Sequence, residues 1–130
     1  MIQRIQTVFL FMISITSVFG LFFFPPIDFP DLGLPIPMVL ESYLILTAAI
    51  AFLTLLLFKI RKTQLMINRL HFLVQILAEV GLVYGMVNTD DMNVYLPWLV
   101  MPILALILLI LSSRFIKKDE DLIRSIDRLR

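Results

Sequence analysis

Asn68, His71, Gln75 and Glu79 stand 3, 4 and 4 residues apart in a stretch whose other residues, Arg69 apart, are apolar. On a helix that spacing stacks them along one face. An ionised carboxylate in hydrocarbon is costly, so Glu79 is expected to face protein, protonated, paired or wetted by a cavity. One reading is a proton or cation path, with Glu79 as its deep site and His71, the chain's single histidine, as its relay. A second is structural, with Gln75 and Glu79 hydrogen-bonded to hydroxyls such as Ser14, Ser17, Thr47 or Thr54, at roughly 0.6 to 2 kcal/mol per contact. A third is a polar contact with another subunit.

Other chemistry is thinly provided. The chain has no cysteine, which excludes disulfides, thiolate metal sites and cysteine nucleophiles. It has no His-x-x-x-His pair, no serine in a glycine elbow and no glycine-rich phosphate loop. The expectation is a non-enzymatic protein with no catalytic residues, cofactor or metal. Asp28, Asp31, Asp90 and Asp91 carry oxygen ligands that suit Ca²⁺ or Mg²⁺, but solvated loop acids are the preferred reading.

The elements that position the stripe follow from composition. Of 130 residues, 60% are hydrophobic, and the mean hydropathy is +0.97. About 45 to 50% apolar is usual for a soluble domain, so membrane is the expected class. Four charge-poor stretches are read as spans, at about residues 5–24, 38–58, 72–87 and 94–111. The first is too long for the apolar region of a cleaved signal peptide, and its Phe-Phe-Phe-Pro-Pro ending offers no small-x-small cleavage site, so it is read as a retained span. The third is the weakest: nine Leu, Ile, Phe and Val residues, at about −0.3 to −0.6 kcal/mol each, barely offset one acid at roughly +2.5 to +3.5. Pro97 and Pro102 predict a kink in the fourth.

Charge fixes the orientation. All eleven Lys and Arg residues fall in three segments: Arg4; Lys59, Arg61, Lys62 and Arg69; and Arg114, Lys117, Lys118, Arg124, Arg128 and Arg130. The other two connections hold only acids: Asp28, Asp31 and Glu41 in one, Asp90 and Asp91 in the other. This is the positive-inside pattern, and Tyr43, Tyr84, Tyr95 and Trp98 fall near the opposite interface, where amphipathic rings sit. The net charge of +1 gives no reason to invoke nucleic acid.

Five of the seven prolines lie between the first two spans, in residues 25–37, which excludes a regular helix there. Residues 114–130 read as an amphipathic cytoplasmic helix, with Phe115, Leu122, Ile126 and Leu129 on one side. Glu120 with Arg124 and Lys117 with Asp121 are spaced for i,i+4 pairs. That helix suits anionic headgroups or another helix equally. Small residues mark packing faces: Ser14, Ser17 and Gly20 on the first span, Thr47, Ala51 and Thr54 on the second, and Gly81 and Gly85, a GxxxG pair extended by Ala78, on the third.

The predicted architecture is an all-α integral membrane four-helix bundle over 1–113 with an amphipathic cytoplasmic tail over 114–130. The opening Met1-Ile2-Gln3-Arg4-Ile5-Gln6-Thr7 and the ending Ile116-Lys117-Lys118-Asp119-Glu120-Asp121-Leu122-Ile123-Arg124-Ser125-Ile126-Asp127-Arg128-Leu129-Arg130 resemble the two signature ends of the family catalogued as domain of unknown function 4293. The resemblance implies a small multi-pass inner-membrane protein of Bacteroidota, and it carries over no functional residue. The expected function is an accessory or scaffold subunit, embedded in the lipid bilayer and bound to a larger membrane complex or to copies of itself. The alternative is a small transporter or channel component using Glu79.

Overall fold

A computed structural model describes the backbone of residues 2–27, 36–88 and 92–127, and the side chains of 5–27, 36–88 and 92–125. Asp28, Asp31, Asp90, Asp91, Arg128, Leu129 and Arg130, the side chains of Arg4 and Ile126, and most of the proline-rich connection lie outside those limits. Four helices are described: α1 (Ile2–Phe23), α2 (Ile36–Leu56), α3 (Arg61–Val87) and α4 (Met92–Asp127). Each is long and apolar enough to cross a bilayer, with mean hydropathies of 2.0, 2.1, 1.7 and 2.6 in chain order over an 18-residue window. The third is the least apolar, as its Gln and Glu predict. The chain is a multi-pass membrane protein.

Each helix packs on its two neighbours in a closed ring, α1 on α2, α2 on α3, α3 on α4 and α4 on α1. Cross-helix contacts fix a single antiparallel register. Phe9 stacks obliquely on Phe115 with centroids 5.7 Å apart, Ser14 Oγ donates to the Ala48 carbonyl at 3.4 Å, and Asn68 meets Ser112 and Ser113. Arg61 pairs with Asp119 at 2.9 Å. All the described Lys and Arg side chains therefore gather at one end of the bundle, and Glu41, Tyr84, Tyr95 and Trp98 lie toward the other.

Outward faces are apolar: Phe11, Phe19, Leu53, Leu73, Leu77 and Ile107 are all about half exposed or more. Several polar side chains instead point inward, among them Gln6, Gln64 and Gln75. A soluble bundle reverses this arrangement.

Two boundaries depart from expectation. Helix α3 starts at Arg61, well before residue 72, after a four-residue turn closed by the Ile60 N–H on the Leu57 carbonyl at 2.9 Å. Hydropathy placed the boundary where polarity fell, but Arg, Lys, Gln, Leu and Met are good helix formers whatever their polarity. Helix α4 runs unbroken through Pro97, Pro102 and residue 114 to Asp127. Its 36 residues make about 54 Å, against a hydrocarbon core of roughly 30 Å. In its distal part the Arg124–Glu120 pair forms at 2.8 Å. The expected Lys117–Asp121 pair does not, and Asp119 instead reaches across to Arg61. Phe115 is half-buried against Phe9, Ile116 is fully buried and Leu122 is exposed.

Candidate functional site: the polar interior and the two seams of α3

Helix α3 presents Gln64, Asn68, His71 and Gln75 to the interior, each at most 1% exposed. Their 4, 3, 4 spacing alternates about a single line on the helix, as an interior stripe must. Glu79 breaks that alternation with a second step of four, which rotates it about 40° onward. It is half-buried, and Leu82 takes the interior position beyond it. The predicted stripe thus loses its acid from the core and gains Gln64 at the other end. Gln64 fell in what read as a basic connection, yet its place four residues before Asn68 was a usable signal. Gln6 was missed likewise; it heads the buried series Gln6, Leu10, Ile13, Ser17 and Gly20 on α1.

Gln75 is the hub. The Tyr43 hydroxyl donates to Gln75 Oε1, and Gln75 Nε2 donates to Thr47 Oγ1 at 3.2 Å and to His71 Nε2 at 2.9 Å. An amide nitrogen only donates, so the neutral ring accepts at Nε2 and carries its proton on Nδ1. One side chain thereby joins α2 to α3 through two bonds and orients the imidazole with a third. Of the other hydroxyls proposed as partners, Ser17 and Thr54 bond back to carbonyls of their own helices, at Ile13 and Ile50.

Toward the basic end, Asn68 Nδ2 donates to Ser112 and Ser113 Oγ, each at 3.3 Å. Both amide atoms of Gln6, Gln64 Oε1, Asn68 Oδ1 and His71 Nδ1 are buried with no hydrogen-bond partner among the described residues. The register puts Gln6 and Gln64 within one turn of the same depth. Buried polar atoms of this kind are satisfied by water or by another molecule's groups.

The polar interior ends at the level of Tyr43 and Gln75. Beyond it Leu44, Leu82, Tyr95, Trp98 and Met101 close into an apolar cluster with Ile27. Trp98 seals this end, with Nε1 donating to the Pro25 carbonyl at 2.8 Å and Phe24 edge-on at 5.1 Å. Glu79 lies about one turn inward of Trp98 by register, and its Oε2 is buried without a hydrogen-bond partner. His71 and Glu79 are not joined by a chain of hydrogen bonds among the described residues. Nor do three His, Asp or Glu side chains converge as metal ligands among them.

The two seams of α3 differ. Against α4 it packs closely; against α2 the contact is the thinnest of the four sides. An apolar groove of about 430 Å³ opens there, lined by Leu40, Tyr43, Leu77, Ala78, Gly81 and Tyr84 among others. A Cβ added at Gly81 would meet nothing within 4 Å. Gly85 is buried, so the GxxxG pair is divided between groove and core. Gly20 is used differently: a Cβ there would lie 3.1 Å from Leu44 Cδ1, so the glycine lets α1 approach α2.

Comparisons with curated proteins and with solved structures return no match. A family profile does match, over residues 35–129, nearly three quarters of the chain. It takes in almost all of the C-terminal signature and leaves the N-terminal one outside. The chain belongs to the family DUF4293, the domain of unknown function 4293.

Proposed function

We propose that this chain is a non-enzymatic accessory or scaffold subunit of a larger membrane complex, held in a bacterial inner membrane with both termini cytoplasmic. The observation that carries the reading is the open α2–α3 seam. It is an apolar groove at membrane depth, floored by Ala78 and Gly81, where small side chains allow a partner's backbone to come close. The backbones of α2 and α3 make less contact along this face than the helix pairs on the other three sides do. The distribution of Lys and Arg supports the orientation, and the charged distal part of α4 suits contact with a partner outside the membrane.

The transporter reading draws on Glu79 and on the unpartnered polar atoms, but the apolar cluster around Trp98 and Met101 stands between the polar interior and the opposite face. Docking is therefore preferred to conduction.

Extraction from native membranes in mild detergent, followed by pull-down and mass spectrometry, tests the proposal. The wild-type chain should bring down a larger membrane complex in fixed ratio. Gly81→Leu, whose added Cβ meets nothing within 4 Å in its own fold, should lose that complex while keeping its helix content. Migration of the wild type as a lone monomer would overturn the proposal.

A further inference from the structure

On the other side of α3, a second groove runs between α3 and α4 at the basic end, with a volume of about 530 Å³. Its two walls are helical stripes, Leu65, Phe72 and Leu73 from α3 and Leu109 and Ile110 from α4, with Asn68 and Ser113 at its floor. Three cations rim it: Arg69, Arg114 and Lys117. All three are exposed, and none is in an ion pair among the described residues, whereas Arg61 and Arg124 are paired with Asp119 and Glu120.

The groove is graded along the membrane normal. By the register that sets Asn68 beside Ser112 and Arg61 beside Asp119, Lys117 and Arg114 lie toward the basic end. Phe72, Leu73, Leu109 and Ile110 lie toward the membrane centre. Arg69 sits between the two zones, with a stem long enough to carry its guanidinium back toward the headgroup level. Cations over an apolar slot match an amphiphile with an anionic head and a hydrocarbon tail. A soluble anion would leave the slot unused, and a zwitterionic lipid would leave the unpaired charges uncompensated.

From this charge and polarity match we infer that the groove is a binding site for an anionic phospholipid. The phosphate sits among Arg69, Arg114 and Lys117, and one acyl chain lies along Phe72, Leu73 and Ile110. The site is separate from the α2–α3 groove, so it stands or falls independently of the accessory-subunit reading.

Native mass spectrometry of the purified full-length chain in mild detergent, titrated in parallel with phosphatidylglycerol, phosphatidylcholine and glycerol phosphate, reads the site directly. A single phosphatidylglycerol adduct should form at a concentration at least about tenfold below that needed for phosphatidylcholine, with about a tenfold change expected for each one or two basic contacts. Glycerol phosphate should give no adduct in that range. Arg69→Gln, Arg114→Gln and Lys117→Gln combined should abolish the preference. Lys59→Gln, Lys62→Gln and Lys118→Gln combined remove the same charge from the same end and should leave it within about twofold. Helix content by circular dichroism should be equal for the three proteins, since all six side chains are exposed. Equal loss in both triple variants would reduce the effect to general surface charge and overturn the site. No preference in the wild type, or an equal adduct with glycerol phosphate, would overturn it as well.

Discussion

The two seams of α3 join the same helix to its neighbours by different means. Against α4 the backbones lie close, side chains from Phe72, Leu104, Leu108 and Leu109 share one core with Leu10, Ile13 and Ala51, and the hydrogen bonds are long. Against α2 the helices make little backbone contact, and Gln75 bridges them to Tyr43 and Thr47. In lipid no hydrophobic force drives helices together, so dispersion and hydrogen bonds must. Where close packing supplies the first, polar bridges are a supplement. Where the backbones stay apart, the bridges carry the seam.

The sharpest way to break that contrast is Gln75→Leu. It leaves the Tyr43 hydroxyl, the Thr47 hydroxyl and His71 Nε2 without their partner at once. The expected loss is about 2 to 3 kcal/mol of bundle stability, measured as a shift in the detergent-denaturation midpoint with helix content retained below it. An unchanged midpoint would mean that the thin seam is held by something other than this network.

Sequence made the hub legible and the boundary of its helix illegible. Asn68, His71 and Gln75 were readable because helical periodicity needs only residue types. Four spans in order, the weakness of the third, and Trp98 at the end away from the Lys and Arg residues were readable for the same reason, since hydropathy and charge are additive along the chain. The start of α3 was not, because hydropathy reports where lipid begins and helix propensity runs past it. A span read from residue 72 leaves Gln64 in the basic connection, although the stripe already requires helix back to Asn68. Glu79 keeps a buried carboxylate oxygen but sits at the edge of the stripe, because a run of fours drifts around the helix and an interior stripe of alternating fours and threes does not. The thin backbone contact of one seam against the closer contact of the other has no signature in one chain's sequence. It depends on how two faces fit, and Ala78 and Gly81 look the same whether they floor a groove or meet a helix.

On the close seam the expected effects are smaller. Asn68→Ala should cost about 1 kcal/mol by the same assay, because it ends two bonds of 3.3 Å, after which Ser112 and Ser113 can turn their hydroxyls to carbonyls of their own helix. A loss as large as that of Gln75→Leu would erase the distinction between the seams. Smallest of the three is Arg61→Gln, which removes the pair with Asp119 across the basic end. Both partners are partly solvated, at 19% and 14% exposed, and a shift below about 1 kcal/mol that shrinks with added salt is expected. A shift insensitive to salt would indicate a contact buried more deeply than this one.

The central claim is that the open seam is the face a partner covers. A photocrosslinking residue at Leu77, which lines that groove and is 72% exposed, tests it in intact native membranes, with the same residue at Ile107 on α4 as the comparison. One discrete adduct with a different membrane protein is expected from position 77 and none from position 107. Lipid adducts alone, or identical adducts from both positions, would contradict it.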